Sequence, residues 1–276
     1  MGKLDTKEII KYSLAEDVGT GDITTDNLNI SHKIADAVIL AKQDCIIAGI
    51  DVAIRVFNTV DPDIQSTKRN SDGDYVEKDA RVLLLRGSIS SLLKAERVAL
   101  NFLQRLSGIA TLTRKFVEAT KGTNAKILDT RKTTPLLREL EKYAVRMGGG
   151  YNHRMGLYDA VLIKDNHITA VGSITQAVKT IRDALPNTFV EVEVKNLEEL
   201  QEAIDNKVDR IMLDNMNPET IRKAVKITNK KVELEVSGGI NLENVKEVAA
   251  TGVDYISVGA ITHSYQSCDF SLLVEG

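Results

Sequence analysis

The sequence predicts an α/β protein, with a parallel β/α barrel in its second half and a smaller α+β domain before it. Two observations carry this prediction. After residue 125, short apolar runs alternate with amphipathic helical segments, which is the sequence form of a parallel sheet. Polar side chains follow these runs one after another, as at the active-site end of a barrel. A flat doubly wound sheet would concentrate them at one switch point instead.

The first hundred or so residues have a different pattern. A short capped helix from Asp5 to Ala15 precedes a glycine-rich turn, and Asp72-Gly73-Asp74 is a turn signal of the hairpin type. A long helix from Ser91 to about Leu106 leads into the barrel. The strand-like runs are Ala37 to Leu40, Cys45 to Ala48 and Val82 to Leu85. We expect a first domain at 1–108 and a barrel domain at 109–265, with the tail at about 266–276 packing on the first domain.

The barrel elements follow in order along the second half. The predicted strands are Lys126 to Leu128, Ala160 to Ile163, Val190 to Val194, Ile211 to Leu213, Val232 to Val236 and Tyr255 to Val258. The predicted helices are Leu136 to Met147, Ser173 to Leu185, Leu197 to Asn206, Pro218 to Thr228 and Leu242 to Ala250. Asn196 and Asn217 are good caps for two of these helices. Six strands are fewer than eight, so the barrel is incomplete or holds a further strand.

Composition excludes several classes of protein. A formal net charge of -3 over 276 residues and few aromatic side chains argue against a nucleic-acid-binding domain. No apolar run is long enough to cross a bilayer, and the N-terminus lacks a secretory signal. Cys45 and Cys268 lack metal-ligand spacing, so we expect two thiols in a reducing, cytoplasmic environment.

One stretch, from Asp129 to His167, concentrates positive charge around a triple glycine in this acidic chain. Its basic side chains are Arg131, Lys132, Arg138, Arg146, His153, Arg154, Lys164 and His167. Such a cluster predicts a pocket for a small, highly charged anion. The four-residue spacing of Arg138, Lys142 and Arg146, with glutamates between them, predicts a largely solvated helix face. His32 is interpreted as a hydrogen-bonded core residue.

Two glycine motifs end the last two predicted strands. Ser237-Gly238-Gly239 and Val258-Gly259-Ala260 expose backbone N–H groups that suit a phosphate. Each motif by itself is equally compatible with a tight turn. As a pair after adjacent late strands, they resemble the phosphate site of barrel enzymes.

Acidic side chains and a lysine also stand at strand ends. Glu193 and Asp214 suit Mg²⁺ beside a phosphate-rich ligand; alternatively, they are solvated surface acids or partners of Lys164. Glu191 shares a face with Glu193, so one of the two is structural; Glu235 is a further candidate for the pocket. Lys164 suits anion binding better than Schiff-base chemistry, because a Schiff-base lysine needs desolvation.

Several long motifs resemble the quinolinate phosphoribosyltransferase family over nearly the whole chain. In chain order they are AEDVGTGDITTD, AERVALNFLQRLSGIAT, DTRKTTP, EKYAVRMGGGYNHRMGLYDAVLIKDNH, EVEV, LDN, SGGI and VDYISVGAITHS. The resemblance implies an N-terminal α/β sandwich domain, an open irregular α/β barrel and a homodimer, with a higher oligomer left open. It also implies a pentosyltransferase that uses Mg²⁺ to join quinolinate to 5-phosphoribosyl-1-pyrophosphate with loss of CO₂, and no nucleic-acid or membrane partner.

The resemblance assigns roles to matching residues. The quinolinate carboxylates would be held by Arg131, His153, Arg154 and Lys164, with Thr130 beside them and Arg97 from a partner subunit. The catalytic residues would be Lys132, Lys164, Glu193 and Asp214, the last two holding Mg²⁺ directly or through water. The 5-phosphate would contact Ser237, Gly238, Gly239, Val258, Gly259, Ala260 and His263.

Two departures from the family pattern and three competing hypotheses accompany the resemblance. Leu136 replaces a glycine and Met147 a small residue or cysteine of many members, and we expect both changes to affect packing. A molybdenum-transport-associated paralogue shares the architecture, but the intact basic cluster favours the quinolinate enzyme. The second hypothesis is a Schiff-base aldolase acting through Lys164. The third is a nucleotide-sensing protein on a retired enzyme scaffold, which retention of the ligand residues disfavours.

Overall fold

After residue 125, strands and helices alternate as expected, with two helices in succession, α5 and α6, between β7 and β8. The computed structural model describes residues 5–28, 30 and 32–275. The strands are β1 Ile34–Ala41, β2 Cys45–Ile46, β3 Gln65–Lys68, β4 Tyr75–Val76, β5 Arg81–Ser88, β6 Lys126–Leu128, β7 Val161–Ile163, β8 Val190–Val194, β9 Arg210–Asp214, β10 Glu233–Ser237, β11 Tyr255–Ser257 and β12 Phe270–Glu275. The helices are α1 Thr6–Val18, α2 Ile50–Val60, α3 Ile89–Ala119, α4 Arg138–Met147, α5 Asp165–Val171, α6 Ile174–Ala184, α7 Leu197–Asp205, α8 Pro218–Thr228, α9 Val245–Ala249 and α10 Ala260–His263.

The chain divides into two compact units, each made of more than one segment. The first contains residues 1–114, 134–149 and 265–276, and the second contains residues 115–133 and 150–264. The helix α4 therefore belongs to the first unit, although it lies in sequence between barrel strands. The long helix α3 continues through residue 108 into the second unit.

The first unit is built on an antiparallel sheet in the order β12-β1-β5-β3, with a separate β2-β4 pair. Strand β12 pairs antiparallel with β1, so the C-terminal segment lies in the same sheet as residues 34–41. Helix α1 begins with a capping box between Asp5 and Glu8, as expected for a capped helix. The Asp72-Gly73-Asp74 turn is present, but the expected hairpin is wrong. Its flanking strands pair elsewhere, β3 with β5 and β4 with β2.

Helix α3 runs past its predicted end near Leu106 and passes through Gly108. A Cβ atom at Gly108 would overlap the carbonyl oxygen of Gln266. The glycine is therefore required by close packing of the segment before β12, and it does not end the helix. Sequence patterns cannot distinguish these two uses of glycine within a helix.

The solvated face predicted for α4 is wrong for Lys142, whereas Arg146 is exposed as expected. Lys142 and Glu141 are fully buried. Glu141 accepts hydrogen bonds from the Arg105 guanidinium at 3.0 and 2.6 Å and from the backbone N–H of Thr134 at 3.2 Å. Because a buried charge is costly without a partner, the buried part of α4 is held by such contacts within the first unit.

Two smaller expectations also fail. His32 is exposed, so it is not a core residue. Leu136 is 69% exposed and has a φ of 67°, which is the left-handed region that glycine adopts without cost. Its replacement of a glycine therefore changes backbone strain and not packing.

The second unit is a six-stranded parallel sheet in the order β6-β11-β10-β9-β8-β7. Its strands match the predicted runs within two residues. Asn196 and Asn217 cap α7 and α8 by accepting N–H bonds from Glu199 and Thr220. Strands β6 and β7 are the two edges and are not paired with each other within the described residues, which makes the barrel open. The sheet interior is lined by side chains from alternate positions.

Candidate active site

A cavity of about 750 Å³ lies at the carboxyl ends of the six parallel strands. Its lining includes Thr130, Arg131, Lys132, His153, Arg154, Lys164, Glu193, Asp214, Ser237, Gly238, Gly239, Gly259, Ala260 and His263. These are fourteen of the fifteen residues that are expected there from this chain. Parallel strands bring their carboxyl ends to one edge of a sheet, which is why residues distant in sequence meet.

One residue expected from this chain, Val258, does not line the cavity. Val258 is fully buried, and its N–H donates to the carbonyl of Leu128 at 2.9 Å, within the sheet. That N–H cannot also bind a phosphate. Arg97 lies exposed on α3. Five further lining residues were not among those expected, because none of them carries a charge: Leu162, Met212, Asn215, Ile240 and Ser257.

The loop that carries His153 and Arg154 is fixed to the end of β6 by Asp129. This buried carboxylate accepts the backbone N–H of His153 at 2.9 Å and the side-chain amide of Asn152 at 2.5 Å. The backbone of Tyr151 adds a parallel bridge to Leu128. Asp129 therefore positions the basic loop. Its place at a strand end is equally compatible with ligand binding, so the sequence alone does not assign this role.

Arg154 has a donor that no described residue satisfies. One terminal nitrogen, Nη1, donates to the carbonyl of Ala160 at 2.9 Å. Its Nε is buried and has no hydrogen-bond partner in the described protein. Burial and the neighbouring charge of Arg131 lower the pKa of Arg154. Two close guanidinium groups and an unsatisfied buried N–H provide a site for a carboxylate.

The acids at the strand ends already have protein partners. Glu193 Oε2 lies 3.4 Å from Lys164 Nζ, so the predicted pairing with Lys164 is confirmed for Glu193. Asp214 Oδ2 accepts from the Asn215 side-chain amide at 2.9 Å. Both carboxylates are partly exposed and line the cavity. They are able to hold ribose hydroxyls or a hydrated cation.

The glycine loops approach other cavity groups closely. Gly238 has a φ of 97°, and a Cβ there would overlap Asn215 Oδ1. A Cβ at Gly259 would lie 3.1 Å from both Lys132 Cδ and His263 Nε2. Glycine at these positions leaves room for backbone N–H groups and the Lys132 side chain to reach one ligand.

A buried cluster of charged residues lies beneath the cavity. We define it as His153, Glu191, Arg210 and Glu235. His153 Nε2 lies 3.2 Å from Glu191 Oε2 and 3.5 Å from Glu235 Oε1, while Arg210 Nη1 lies 3.4 Å from Glu235 Oε2. Burial, followed by the charge of Glu191, raises the pKa of Glu235 to about 7. Glu235 is fully buried and does not line the cavity itself.

The same cluster contains three ligand-type side chains, those of His153, Glu191 and Glu235, within the range of one metal ion. Both oxygens of Glu235 have other partners, because Arg210 faces one and the Ser257 hydroxyl donates to the other. His153 Nδ1 accepts the backbone N–H of Arg154 at 2.7 Å. This arrangement suits shared protons better than metal coordination.

Comparisons with known proteins agree along the whole chain. Two family models match, "Quinolinate phosphoribosyl transferase, N-terminal domain" over residues 22–107 and "Quinolinate phosphoribosyl transferase, C-terminal domain" over residues 109–273. A relative from Bacillus subtilis named "Probable nicotinate-nucleotide pyrophosphorylase [carboxylating]" is 46% identical over 273 residues, covering 99% of this chain and 94% of its own. A relative of the same name from Synechocystis is 48% identical over 256 residues, which cover 91% of this chain and 86% of the relative.

A solved structure is also similar. The nicotinate-nucleotide pyrophosphorylase from Francisella tularensis has a TM-score of 0.95 and 47% identity, covering 98% of this chain and 96% of that one. Within the described residues, no helix is both long and apolar enough to cross a membrane.

Proposed function

The chain belongs to the quinolinate phosphoribosyltransferase family, and from that premise we propose how its cavity performs the reaction. The activity is that of a carboxylating nicotinate-nucleotide pyrophosphorylase, a phosphoribosyltransferase of NAD biosynthesis. The cavity binds quinolinate beside 5-phosphoribosyl-1-pyrophosphate, and the products are nicotinate mononucleotide, pyrophosphate and CO₂.

The unsatisfied Nε of Arg154 is the observation that carries this proposal. Arg154 and Arg131 bind the two adjacent carboxylates of quinolinate, because a guanidinium fork matches a carboxylate. Lys164 adds a mobile charge at the next strand end. His153 lines the cavity and accepts the backbone N–H of Arg154 with Nδ1, so it supports Arg154 beside the carboxylate contact that the resemblance implies.

The phosphoribosyl donor, 5-phosphoribosyl-1-pyrophosphate, binds on the opposite side of the cavity from quinolinate. Lys132 passes over Gly259, where a Cβ would crowd it, and faces the glycine loops with His263. The backbone at 237–239 and 259–260 receives the 5-phosphate. Glu193 and Asp214 hold the ribose hydroxyls and orient C1 toward the pyridine nitrogen.

Catalysis then depends on position and electrostatics. The pyridine nitrogen bonds to ribose C1 as the C1–O bond to pyrophosphate breaks. The transition state is oxocarbenium-like, and the carboxylates of Glu193 and Asp214 stabilise its positive charge. Lys132 and Lys164 stabilise the leaving pyrophosphate. The alkylated ring becomes an electron sink, so the C2–carboxylate bond breaks, CO₂ leaves and C2 takes up a proton.

Mg²⁺ fits the oxygen donors of this site. Glu193 and Asp214 present hard carboxylate oxygens toward the cavity, each with a second partner that limits direct coordination. The ion would be held by these two residues largely through water. When bound, it neutralises charge on the departing pyrophosphate.

We also propose that the site is completed in a homodimer by Arg97 of the partner subunit. Arg97 is exposed on α3 and is available for such a role. The proposed compartment is the cytoplasm, supported by Cys45 and Cys268, which form no disulfide. A relative from Arabidopsis thaliana is named chloroplastic, so the family is not confined to one compartment.

A barrel aldolase is a weaker candidate. A Schiff-base lysine needs desolvation, whereas the Lys164 side chain is 45% exposed and faces Glu193. Borohydride trapping with a carbonyl substrate would detect that activity.

The proposal is tested by incubating the protein with quinolinate, phosphoribosyl pyrophosphate and Mg²⁺. We expect nicotinate mononucleotide and one CO₂ for each pyrophosphate released, with no product when either substrate is omitted. Folded dimer that forms no product would contradict the proposal.

A mixing experiment tests the shared site. Arg97→Ala and Lys164→Ala dimers should each be inactive, and their mixture should recover about a quarter of wild-type activity if random exchange leaves one intact site in half of the dimers. Absence of recovery after demonstrated subunit exchange would show that Arg97 does not cross the interface.

A further inference from the structure

Glu235 has no assigned role in the reaction, yet it lies directly beneath the cavity. Its side chain is fully buried. His153 and Ser257 both contact Glu235 and both line the cavity, so a single layer of side chains separates its carboxyl group from the ligand space. A charge at this depth is weakly screened.

Every element packed around Glu235 contributes a polar or charged group. Glu191 faces it from β8, Arg210 from β9 and His153 from the loop after α4, while β11 contributes the Ser257 hydroxyl. Arg210 also binds Glu233 at the other end of β10, at 2.8 Å. The immediate surroundings of Glu235 therefore hold one further acid, one guanidinium and one imidazole.

Two buried carboxylates face one imidazole nitrogen. His153 Nε2 lies 3.2 Å from Glu191 Oε2 and 3.5 Å from Glu235 Oε1, while His153 Nδ1 accepts the backbone N–H of Arg154 at 2.7 Å. Ionisation of Glu235 therefore places a second negative charge beside Glu191 in a buried site. Burial and the charge of Glu191 raise the pKa of Glu235 to about 7.

We propose that Glu235 is a positioning residue that must hold a proton for tight dicarboxylate binding. Protonated, it removes one negative charge from the buried cluster and lets His153 support the Arg154 backbone. Once ionised, it repels the quinolinate dianion and draws the His153 Nε2–H away from Glu191. This inference rests on the proposed function, and it applies to quinolinate and not to the phosphoribosyl donor.

The test compares wild type with Glu235→Gln, which keeps a neutral side chain of the same shape at every pH. Phthalate has two vicinal carboxylates and no ring nitrogen, so it binds without reacting. Between about pH 6.5 and about pH 8.5, the phthalate Kd and the quinolinate KM of wild type should rise about ten-fold, as expected for one buried charge near a dianion. Both should stay within about two-fold in Glu235→Gln.

Glu233→Gln is the matched control. It lies on the same strand and also binds Arg210, but it is 46% exposed and does not contact His153. In this variant, the phthalate Kd and the quinolinate KM should rise with pH as they do in wild type. The KM for phosphoribosyl pyrophosphate should have the same pH profile in all three proteins, which separates a local effect from a general change in activity.

A second variant covers the case in which Glu235→Gln does not fold. The hydrogen bond from Ser257 lowers the pKa of Glu235, so Ser257→Ala should move the rise in phthalate Kd to higher pH. Any of three results would overturn the inference. The phthalate Kd of wild type could be independent of pH, the midpoint of its rise could be unchanged in Ser257→Ala, or Glu235→Gln could show the same rise as wild type. Phthalate binding with the expected profile but without product formation would instead count against the proposed function.

Discussion

Strands β8 and β10 each carry two acids that face the barrel interior and differ in depth. Glu193 lies at the cavity with its side chain 11% exposed and an ion pair to Lys164, whereas Glu191 is 3% exposed and faces His153. On β10, Glu235 is buried and Glu233 reaches solvent at the opposite end. Identical residue types at a period of two therefore acquire different functions from depth along the strand.

The difference separates two layers of the barrel. The cavity layer holds groups that remain partly hydrated and are available to substrates. The buried cluster is almost closed to solvent, so its charges must balance within the protein. Changes in the first layer should therefore alter kinetics, and changes in the second should alter stability or pH dependence.

The largest expected effect is in the cavity layer. Arg131→Ala removes one guanidinium from the dicarboxylate site, so kcat/KM for quinolinate should fall about 100-fold to 1,000-fold. The KM for phosphoribosyl pyrophosphate should stay within about three-fold. Steady-state kinetics measure both, and an equal loss for the two substrates would mean that Arg131 does not discriminate between them.

Asp214→Asn should affect the other substrate. The change removes a charge beside the ribose and Mg²⁺ site, so kcat/KM for phosphoribosyl pyrophosphate should fall about 100-fold. Phthalate affinity should be unchanged. If calorimetry finds phthalate binding weakened as well, the two substrate regions of the cavity are not independent.

Glu191→Ala tests the buried layer. The change leaves Arg210 and His153 buried with less negative charge around them, and it should cost about 3 kcal/mol of unfolding free energy. Glu193→Ala, two residues along the same strand, should cost less than about 1 kcal/mol. Urea unfolding compares them, and similar losses would remove the distinction between the layers.

Gly238→Ala should cost about 1–2 kcal/mol, because φ is 97° and the new Cβ meets the Asn215 side chain. At Gly239, φ is also positive at 62°, but a Cβ would meet no atom within 4 Å. Gly239→Ala should therefore cost less, with thermal unfolding as the measurement. Equal costs would show that backbone strain, without the Asn215 contact, accounts for the effect.

The last expected effect concerns pH. The pKa of Glu235 is raised from its ordinary value of 4.5 to about 7, so its stabilising contribution is present below about 4.5 and is lost as pH rises toward 7. Wild type should therefore lose stability relative to Glu235→Gln between about pH 5 and about pH 8. Parallel Tm curves for the two proteins would contradict the raised pKa.

Local patterns were sufficient for the six strands of the barrel and for α6 to α9, whereas the short helices α5 and α10 were not predicted. Short apolar runs bounded by polar residues defined β6 to β11, and the side chains after each run reached one cavity because parallel strands align their ends. Asn196 and Asn217 marked helix starts through hydrogen bonds to residues three positions away, which sequence spacing encodes directly.

The sequence by itself determined the alternation of elements, the family and fourteen of the lining residues. Tertiary structure decided that α3 passes through Gly108, that Lys142 is buried, that the N–H of Val258 is used within the sheet and that Glu191 and Glu235 enclose His153. These outcomes depend on burial and on partners distant in sequence. The free energy of a charge or an N–H group is set by the atoms around it, and no local pattern specifies those atoms.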